Sequence, residues 1–318
     1  MKLTVVVPCF DEEAVLHRSA AELGATLDRL AAAGRIAADS QIVFVDDGSR
    51  DGTWRIVDEM ARGSSRFAGI RLSRNYGHQN ALLAGLMTVD GDAVASLDAD
   101  LQDDPAALGP MLERLQEGHE IVLGVRRSRG RDGLLKRATA RIFYRLARWG
   151  NRDLVADHAD FRLMSRRAIE ELRRFPETNL YLRGLVTLIG LPVATVEYER
   201  RTRAAGETKY PLRKMLAFAF DGISSFTTLP LQLISWVGFL TFLGAVAITA
   251  WAVFIRLFTG RAIPGWASTV LPLYALGGVQ ILSVGVLGLY LAKIYNEVKR
   301  RPRFIVRETT RSFEREAE

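Results

Sequence analysis

The sequence predicts an α/β fold: a domain built on a mainly parallel sheet, followed by a two-helix transmembrane hairpin. Three observations carry this. Short β-rich runs alternate with helical patterns through the first part of the chain, the pattern of a parallel sheet covered on both faces. Two later stretches are free of charge, one between Asp221 and Arg256 and one between Arg261 and Lys293. Each is longer than the ~20 apolar residues that cross a bilayer as a helix. Charged residues otherwise make up an ordinary 25% of the 318 residues, which excludes a disordered chain and a many-span transporter.

The elements follow in order. Strands fit Leu3–Val7, Ile42–Val45, Gly69–Leu72, Ala93–Leu97, Ile121–Val125 and Pro192–Tyr198, and helices fit Glu12–Ala32, Thr53–Arg62, Gln79–Val89, Pro105–Glu117 and Leu134–Trp149. The opening apolar run is too short for a signal peptide and acids follow it at once, so it reads as the first strand. Residues 1–210 form the α/β domain and 211–228 a juxtamembrane amphipathic segment. Residues 229–293 form the hairpin, with spans over about 231–255 and 269–291 and a turn at Pro264-Gly265-Trp266. Residues 294–318 form a basic tail. Trp236, Trp251 and Trp266 suit interfacial anchors. Lys293, Lys299, Arg300, Arg301, Arg303 and Arg307 follow the second span, whereas the turn offers only Arg256 and Arg261, so both termini face the cytoplasm. The formal charge of +7 is therefore a membrane signal, and no nucleic-acid module accompanies it. The single Cys9 excludes an internal disulfide framework.

Polar residues gather where strands end, which is where open parallel sheets bind ligands. Pro8-Cys9-Phe10-Asp11-Glu12 closes the first strand and Asp46-Asp47-Gly48-Ser49 the second, although turn and capping duties would also explain the latter. The strongest run is Asp98-Ala99-Asp100-Leu101-Gln102-Asp103-Asp104-Pro105. If strand geometry persists through it, Asp98 and Asp100 point to the same side. Two close carboxylates need a cation or a shared proton, and oxygen ligands without histidine or thiol suit Mg2+ or Mn2+. The competing reading is an acidic cap before Pro105, which accounts for Asp103 or Asp104 but not for Asp98. The two commonest nucleotide-binding glycine fingerprints are absent. From Arg126 to Arg152 ten Lys or Arg face one acid, Asp132. On a helix over Leu134–Trp149, Arg137, Arg141, Arg145 and Arg148 form a stripe that fits an anionic membrane surface, or an ordinary helix packed on the sheet.

These motifs, together with Leu72-Ser73-Arg74-Asn75-Tyr76-Gly77, Asp160-Phe161-Arg162-Leu163-Met164, Gly206-Glu207-Thr208-Lys209, Phe220-Asp221-Gly222-Ile223 and Gly277-Gly278-Val279-Gln280, resemble glycosyltransferase family 2. Within it they resemble the branch of dolichol-phosphate-mannose synthases and bacterial polyisoprenyl-phosphate glucosyltransferases, over nearly the whole chain. The resemblance implies a GT-A fold and inverting transfer of a hexose from a nucleoside diphosphate sugar to a polyisoprenyl phosphate. UDP-glucose is the first choice of donor and GDP-mannose the second, undecaprenyl phosphate is the acceptor, and the product serves cell-envelope glycosylation. It also implies a multi-pass protein of the bacterial inner membrane with its catalytic domain in the cytoplasm. Membrane lipid is then a partner, and the hairpin offers a surface for self-association.

Carried over by motif, Pro8, Phe10 and Glu12 contact base and ribose with Asp47 beside them. Asp98, Ala99, Asp100 and Gln102 surround the metal and diphosphate, the metal ligands being Asp98, Asp100 and Gln102. Arg126, Arg203 and Lys209 handle phosphate, and Asp160 acts on the acceptor. Asp160, Asp98 and Asp100 are thus the expected catalytic residues. The family's usual Tyr-Asn is Phe10-Asp11 here, which removes a hydroxyl from the base-binding position. The alternatives fit less well. A processive polysaccharide synthase carries Gln-x-x-Arg-Trp, but Arg145 stands three residues before Arg148-Trp149 where the Gln belongs. A non-enzymatic nucleotide-sugar-binding membrane partner does not explain Asp98 and Asp100 beside Gln102. A domain cut after about Thr227 is expected to keep donor and metal binding.

Overall fold

The structure, a computed structural model, describes residues 1–127, 158–177, 182–199, 229–259, 265–311 and 313. The chain divides into two compact units: one holds the N-terminal α/β elements and the residues from Arg301 on, the other the two long helices.

In the first unit the described residues form an eight-stranded sheet of β1 (Leu3–Cys9), β2 (Gln41–Asp46), β3 (Phe67–Leu72), β4 (Ala93–Ser96), β5 (Ile121–Arg126), β6 (His158–Ser165), β7 (Val193–Tyr198) and β8 (Val306–Thr309). Their spatial order is β7-β5-β6-β4-β1-β2-β3-β8, parallel except where β6 and β8 run against their neighbours. All six predicted strands are present. β6 and β8 were not anticipated, and neither were α5 and α6 below.

The helices are α1 (Leu16–Ala32), α2 (Thr53–Gly63), α3 (His78–Thr88), α4 (Leu108–Gln116), α5 (Arg166–Arg173) and α6 (Leu182–Leu188). Both faces of the sheet are covered, so β1 is buried along its whole length and its valines serve two cores. Val5 and Val7 pack with Leu23 of α1, Ile56 of α2 and Met111 of α4. Val6 packs with the core of α3, α5 and α6. At Gly85 of α3 a Cβ would collide with Val6, so only glycine lets the helix lie this close.

The second unit consists of α7 (Leu229–Thr259) and α8 (Trp266–Val298). Among the described residues one stretch is long and apolar enough to cross a membrane, Leu276–Val298 in α8, with mean hydropathy 1.5. It begins and ends seven residues later than the expected span 269–291. The other expected span, 231–255, falls on α7, several of whose side chains lie outside the described residues. The expected segment 211–228 and the helix Leu134–Trp149 also lie outside them. The region read as a tail from residue 294 begins as helix to Val298 and then supplies β8, which pairs antiparallel with β3.

Candidate active site

β1 is flanked by β2 on one side and β4 on the other, because the chain runs outward through β2 and β3 before returning to β4. A crevice opens at the carboxyl ends of strands at such a switch point. Here it is a cleft of about 290 Å³, and it brings together Pro8, Phe10, Glu12, Asp47, Asp98, Ala99 and Asp100, seven of the residues expected from sequence. Cys9, Asn75, Gly77, His78 and Ala81 complete the lining.

Hydrogen bonds stitch the ends of β1 and β2 into one wall. Asp11 turns the chain with φ 54°, its N–H donates to Ser49 Oγ (3.0 Å), and its Oδ1 accepts from the Arg50 N–H (2.8 Å). The Glu12 N–H donates to Thr53 Oγ1 (2.9 Å). Phe10, just before this turn, remains 40% exposed and offers an aromatic face. Gly48 has φ 71°, and any side chain there would run into the backbone of Arg74 and Asn75. Asp47 fixes that same loop, accepting from the N–H groups of Tyr76 (2.7 Å) and Gly77 (2.9 Å). Burial nevertheless pushes its carboxyl above the usual range.

The acidic run is a turn rather than an extended strand. β4 ends at Ser96, the Leu101 N–H reaches back to Asp98 O, Leu101 has φ 50°, and the Gln102 N–H donates to Asp100 Oδ1 (3.1 Å). Asp98 and Asp100 therefore share the cleft because the chain folds back, not because strand side chains alternate. Asp104, as the capping reading expected, accepts from the Ala106 N–H before the Pro105 turn. Burial raises the Asp98 carboxyl to about 6, with Asp160, Asp103 and Asp100 adding to the rise and His78 opposing it.

The donor set suits a hard divalent cation. Asp98 Oδ1 is a buried acceptor with no hydrogen bond, and several acids crowd around it. Among the described residues no three His, Cys, Asp or Glu side chains converge to hold a metal alone. One or two carboxylates completed by substrate phosphates is the arrangement typical of Mg2+. Gln102 is buried and does not line the cleft.

Asp160 lies on β6 with Arg162 two residues on, so both side chains fall on one face of the strand. Arg162 is fully buried and donates to Asp160 Oδ1 (2.7 Å) and to Leu182 O (3.4 Å). Asp160, expected to act on the acceptor, is thus held in a buried ion pair with Arg162. The other carboxylate oxygen faces His78 Nε2 at 3.5 Å. Arg126 leaves the cleft and donates to Asp103 Oδ1 (3.2 and 3.1 Å) and Tyr198 Oη (3.2 Å), while the Tyr198 hydroxyl also donates to Asp103. Arg203 and Lys209 lie outside the described residues. Sequence reasoning missed His78 and Asn75. The available signal was their place beyond the carboxyl end of β3, the rule already applied to the other strand ends.

Comparison with known proteins adds independent support. The model of the family described as "Glycosyl transferase family 2" matches residues 4–173. A Bacillus subtilis (strain 168) protein named "Uncharacterized glycosyltransferase YkoT" is 47% identical over 307 residues, covering 96% of this chain and 90% of that one. The "Prophage bactoprenol glucosyl transferase homolog" of Escherichia coli (strain K12) is 35% identical over 311 residues, 96% of this chain and 99% of that one. The "Bactoprenol glucosyl transferase" of Shigella phage SfII is 35% identical over 315 residues, 98% and 99% of the two chains.

Proposed function

The chain belongs to glycosyl transferase family 2 and is a glycosyltransferase, and on that premise we propose that it moves a hexose from a nucleoside diphosphate sugar onto a polyprenyl phosphate, with inversion at the anomeric carbon. The observation that carries the reading is the convergence of Phe10, Glu12, Asp47, Asp98 and Asp100 in one cleft at the switch point of the sheet. Likeness to bactoprenol glucosyl transferases along almost their whole length supports the lipid phosphate as acceptor and UDP-glucose before GDP-mannose as donor.

In this reading the exposed ring of Phe10 packs on the base, and Glu12 and Asp47 flank the ribose. Asp98 and Asp100 would hold a divalent cation, which when bound supplies positive charge to the diphosphate. Gln102 acts through its backbone, fixing Asp100. Arg203 and Lys209 neutralise the departing group. A phosphate oxygen of the acceptor forms a bond to the anomeric carbon as the bond from that carbon to the diphosphate oxygen breaks. A phosphate monoester has its second pKa near ~6 and is largely dianionic at neutral pH, so little proton removal is needed. Asp160, already paired with Arg162, orients the acceptor side. The apolar stretch Leu276–Val298, with α7, anchors the protein in the bacterial inner membrane with the catalytic unit in the cytoplasm.

A panel of radiolabelled UDP-glucose, GDP-mannose and related donors, incubated with purified protein and undecaprenyl phosphate, tests this. Label extracted as a single-sugar lipid from one donor is the expected result. Labelled polymer would point to a processive synthase, and donor binding with neither transfer nor hydrolysis to a non-enzymatic partner.

A further inference from the structure

His78 opens α3 directly after Gly77, whose φ of +89° disfavours any residue with a Cβ. Asp47 accepts the N–H of Gly77, so the end of β2 sets where the imidazole starts. From there His78 Nε2 lies 3.5 Å from Asp98 Oδ1 and 3.5 Å from Asp160 Oδ2.

The two carboxylates come near each other because β4 lies beside β6 and its chain turns just past Ser96. β4 pairs antiparallel with β6, with Ala95 opposite Leu163 and Ser96 opposite Arg162. The ladder ends there: the Ser96 hydroxyl donates to Asp160 O (2.5 Å), and the turn that follows Ser96 leaves Asp98 near Asp160. Like charges placed opposite each other repel. One belongs to the donor cleft and the other to the buried pair with Arg162. The imidazole Nε2 sits between them, 3.5 Å from one oxygen of each, so a single ring borders both carboxylates and fixes their separation.

We propose that His78 is a positioning residue for transfer, holding the Asp160 carboxylate in register with Asp98 so that the acceptor phosphate is aligned on the donor. The proposal rests on the transferase reading above. It predicts a division of labour: removal of the imidazole disturbs the use of acceptor and leaves donor binding in place.

The test uses the full chain in detergent with UDP-glucose, Mn2+ and undecaprenyl phosphate. His78→Ala should lower kcat/KM for the lipid phosphate about tenfold, the effect of misplacing one positioned carboxylate. The Kd for UDP with Mn2+, read by calorimetry, should change by less than about twofold. His78→Gln, whose amide N–H can reach one of the carboxylates, should recover most of the loss. In an Asp160→Asn background His78→Ala should cost less than about twofold more, because residues that act together are not additive. Undiminished transfer in His78→Ala overturns the proposal. So does a Kd for UDP weakened about tenfold with acceptor KM unchanged, which would make His78 a donor ligand. Equal losses in the Ala and Gln variants, tracking a lowered melting temperature, would reduce it to a structural residue and overturn it too. Failure of the unmutated protein to label lipid from any donor would overturn the transferase reading and this role together, whereas normal unmutated activity with a normal His78→Ala overturns this role alone.

Discussion

Burial holds the Asp98 carboxyl at about 6, against an ordinary value of 3.8, and nearby acids push the same way. A carboxyl whose folded pKa is raised favours the fold when protonated. That contribution is complete below the unfolded value and lost as pH rises through about 6. In metal-free protein at neutral pH the Asp98 charge therefore works against folding. Asp98→Asn should abolish transfer yet stabilise the metal-free protein, on the order of 1–2 kcal/mol after allowance for partial solvent screening. Thermal melts of both proteins from about pH 4 to 8 check this, and the gain should shrink toward the acid end. A mutant less stable than its parent at neutral pH would contradict it. For Asp160 the neighbour decides. Replacement by Ala leaves the Arg162 guanidinium buried without its partner and should cost about 3–5 kcal/mol. Asp160→Asn keeps an acceptor and is the better probe of mechanism. Its rate relative to the unmutated protein should stay flat from about pH 6 to 9, since the acceptor phosphate already carries its charge. Recovery at the alkaline end would make Asp160 a general base. Cys9 lines the cleft but is buried, and desolvation together with Asp46, Glu12 and Asp47 drives its thiol well above its usual range. Its alkylation at neutral pH should be slow, and slower still with saturating UDP; equal rates with and without nucleotide would place it outside the pocket.

Among the elements, β8 changes an expectation. Thr310 N donates to Gly69 O (3.0 Å), the Gly69 N–H to Thr310 Oγ1 (2.8 Å), and the Ser73 N–H to Ile305 O (2.9 Å). Phe304 and Val306 pack against the core on the α3 side. Ser73 leads into the Asn75–Gly77 loop that walls the cleft, so β8 braces that wall. A domain ended at Thr227 exposes the edge of β3 and should aggregate or melt well below one in which residues 301–313 are rejoined by a linker. Equal melting temperatures and equal UDP affinity in the two would restore the view that the domain stands alone. The sequence hid this strand because Val306-Arg307-Glu308-Thr309 is short and charged, and only its partner makes it a strand. β6 was hidden for a related reason: Asp160 and Arg162 put two charges into a run that is otherwise apolar from Phe161 to Met164, and only inside the sheet do they neutralise each other. The strands β1 to β5 and β7 were legible because apolar runs buried on both faces leave a dense signal. The cleft was legible where it follows strand ends in chain order. His78 follows the end of β3, where the strand-end rule applies, but its approach to Asp98 and Asp160 comes from β4 lying beside β6, which no local pattern encodes.

At the scale of the whole molecule, a polar catalytic unit and a pair of long apolar helices belong to one chain, and the pairing suits a reaction between a water-soluble donor and a lipid-borne phosphate. The exposed side chains of Ile281, Val284 and Leu291 within Leu276–Val298 have no protein cover in the described residues and fit contact with hydrocarbon. Chelation of divalent ions should stop transfer by the unmutated protein, and full activity in excess chelator would remove the metal from the account. The most direct measurement is the radiolabelled lipid formed by purified protein from labelled UDP-glucose and undecaprenyl phosphate, with Asp98→Asn run alongside. The account predicts a labelled single-sugar lipid phosphate from the unmutated protein and none from the mutant. Equal label from Asp98→Asn, or no labelled lipid from the unmutated protein with any nucleotide sugar, would contradict it.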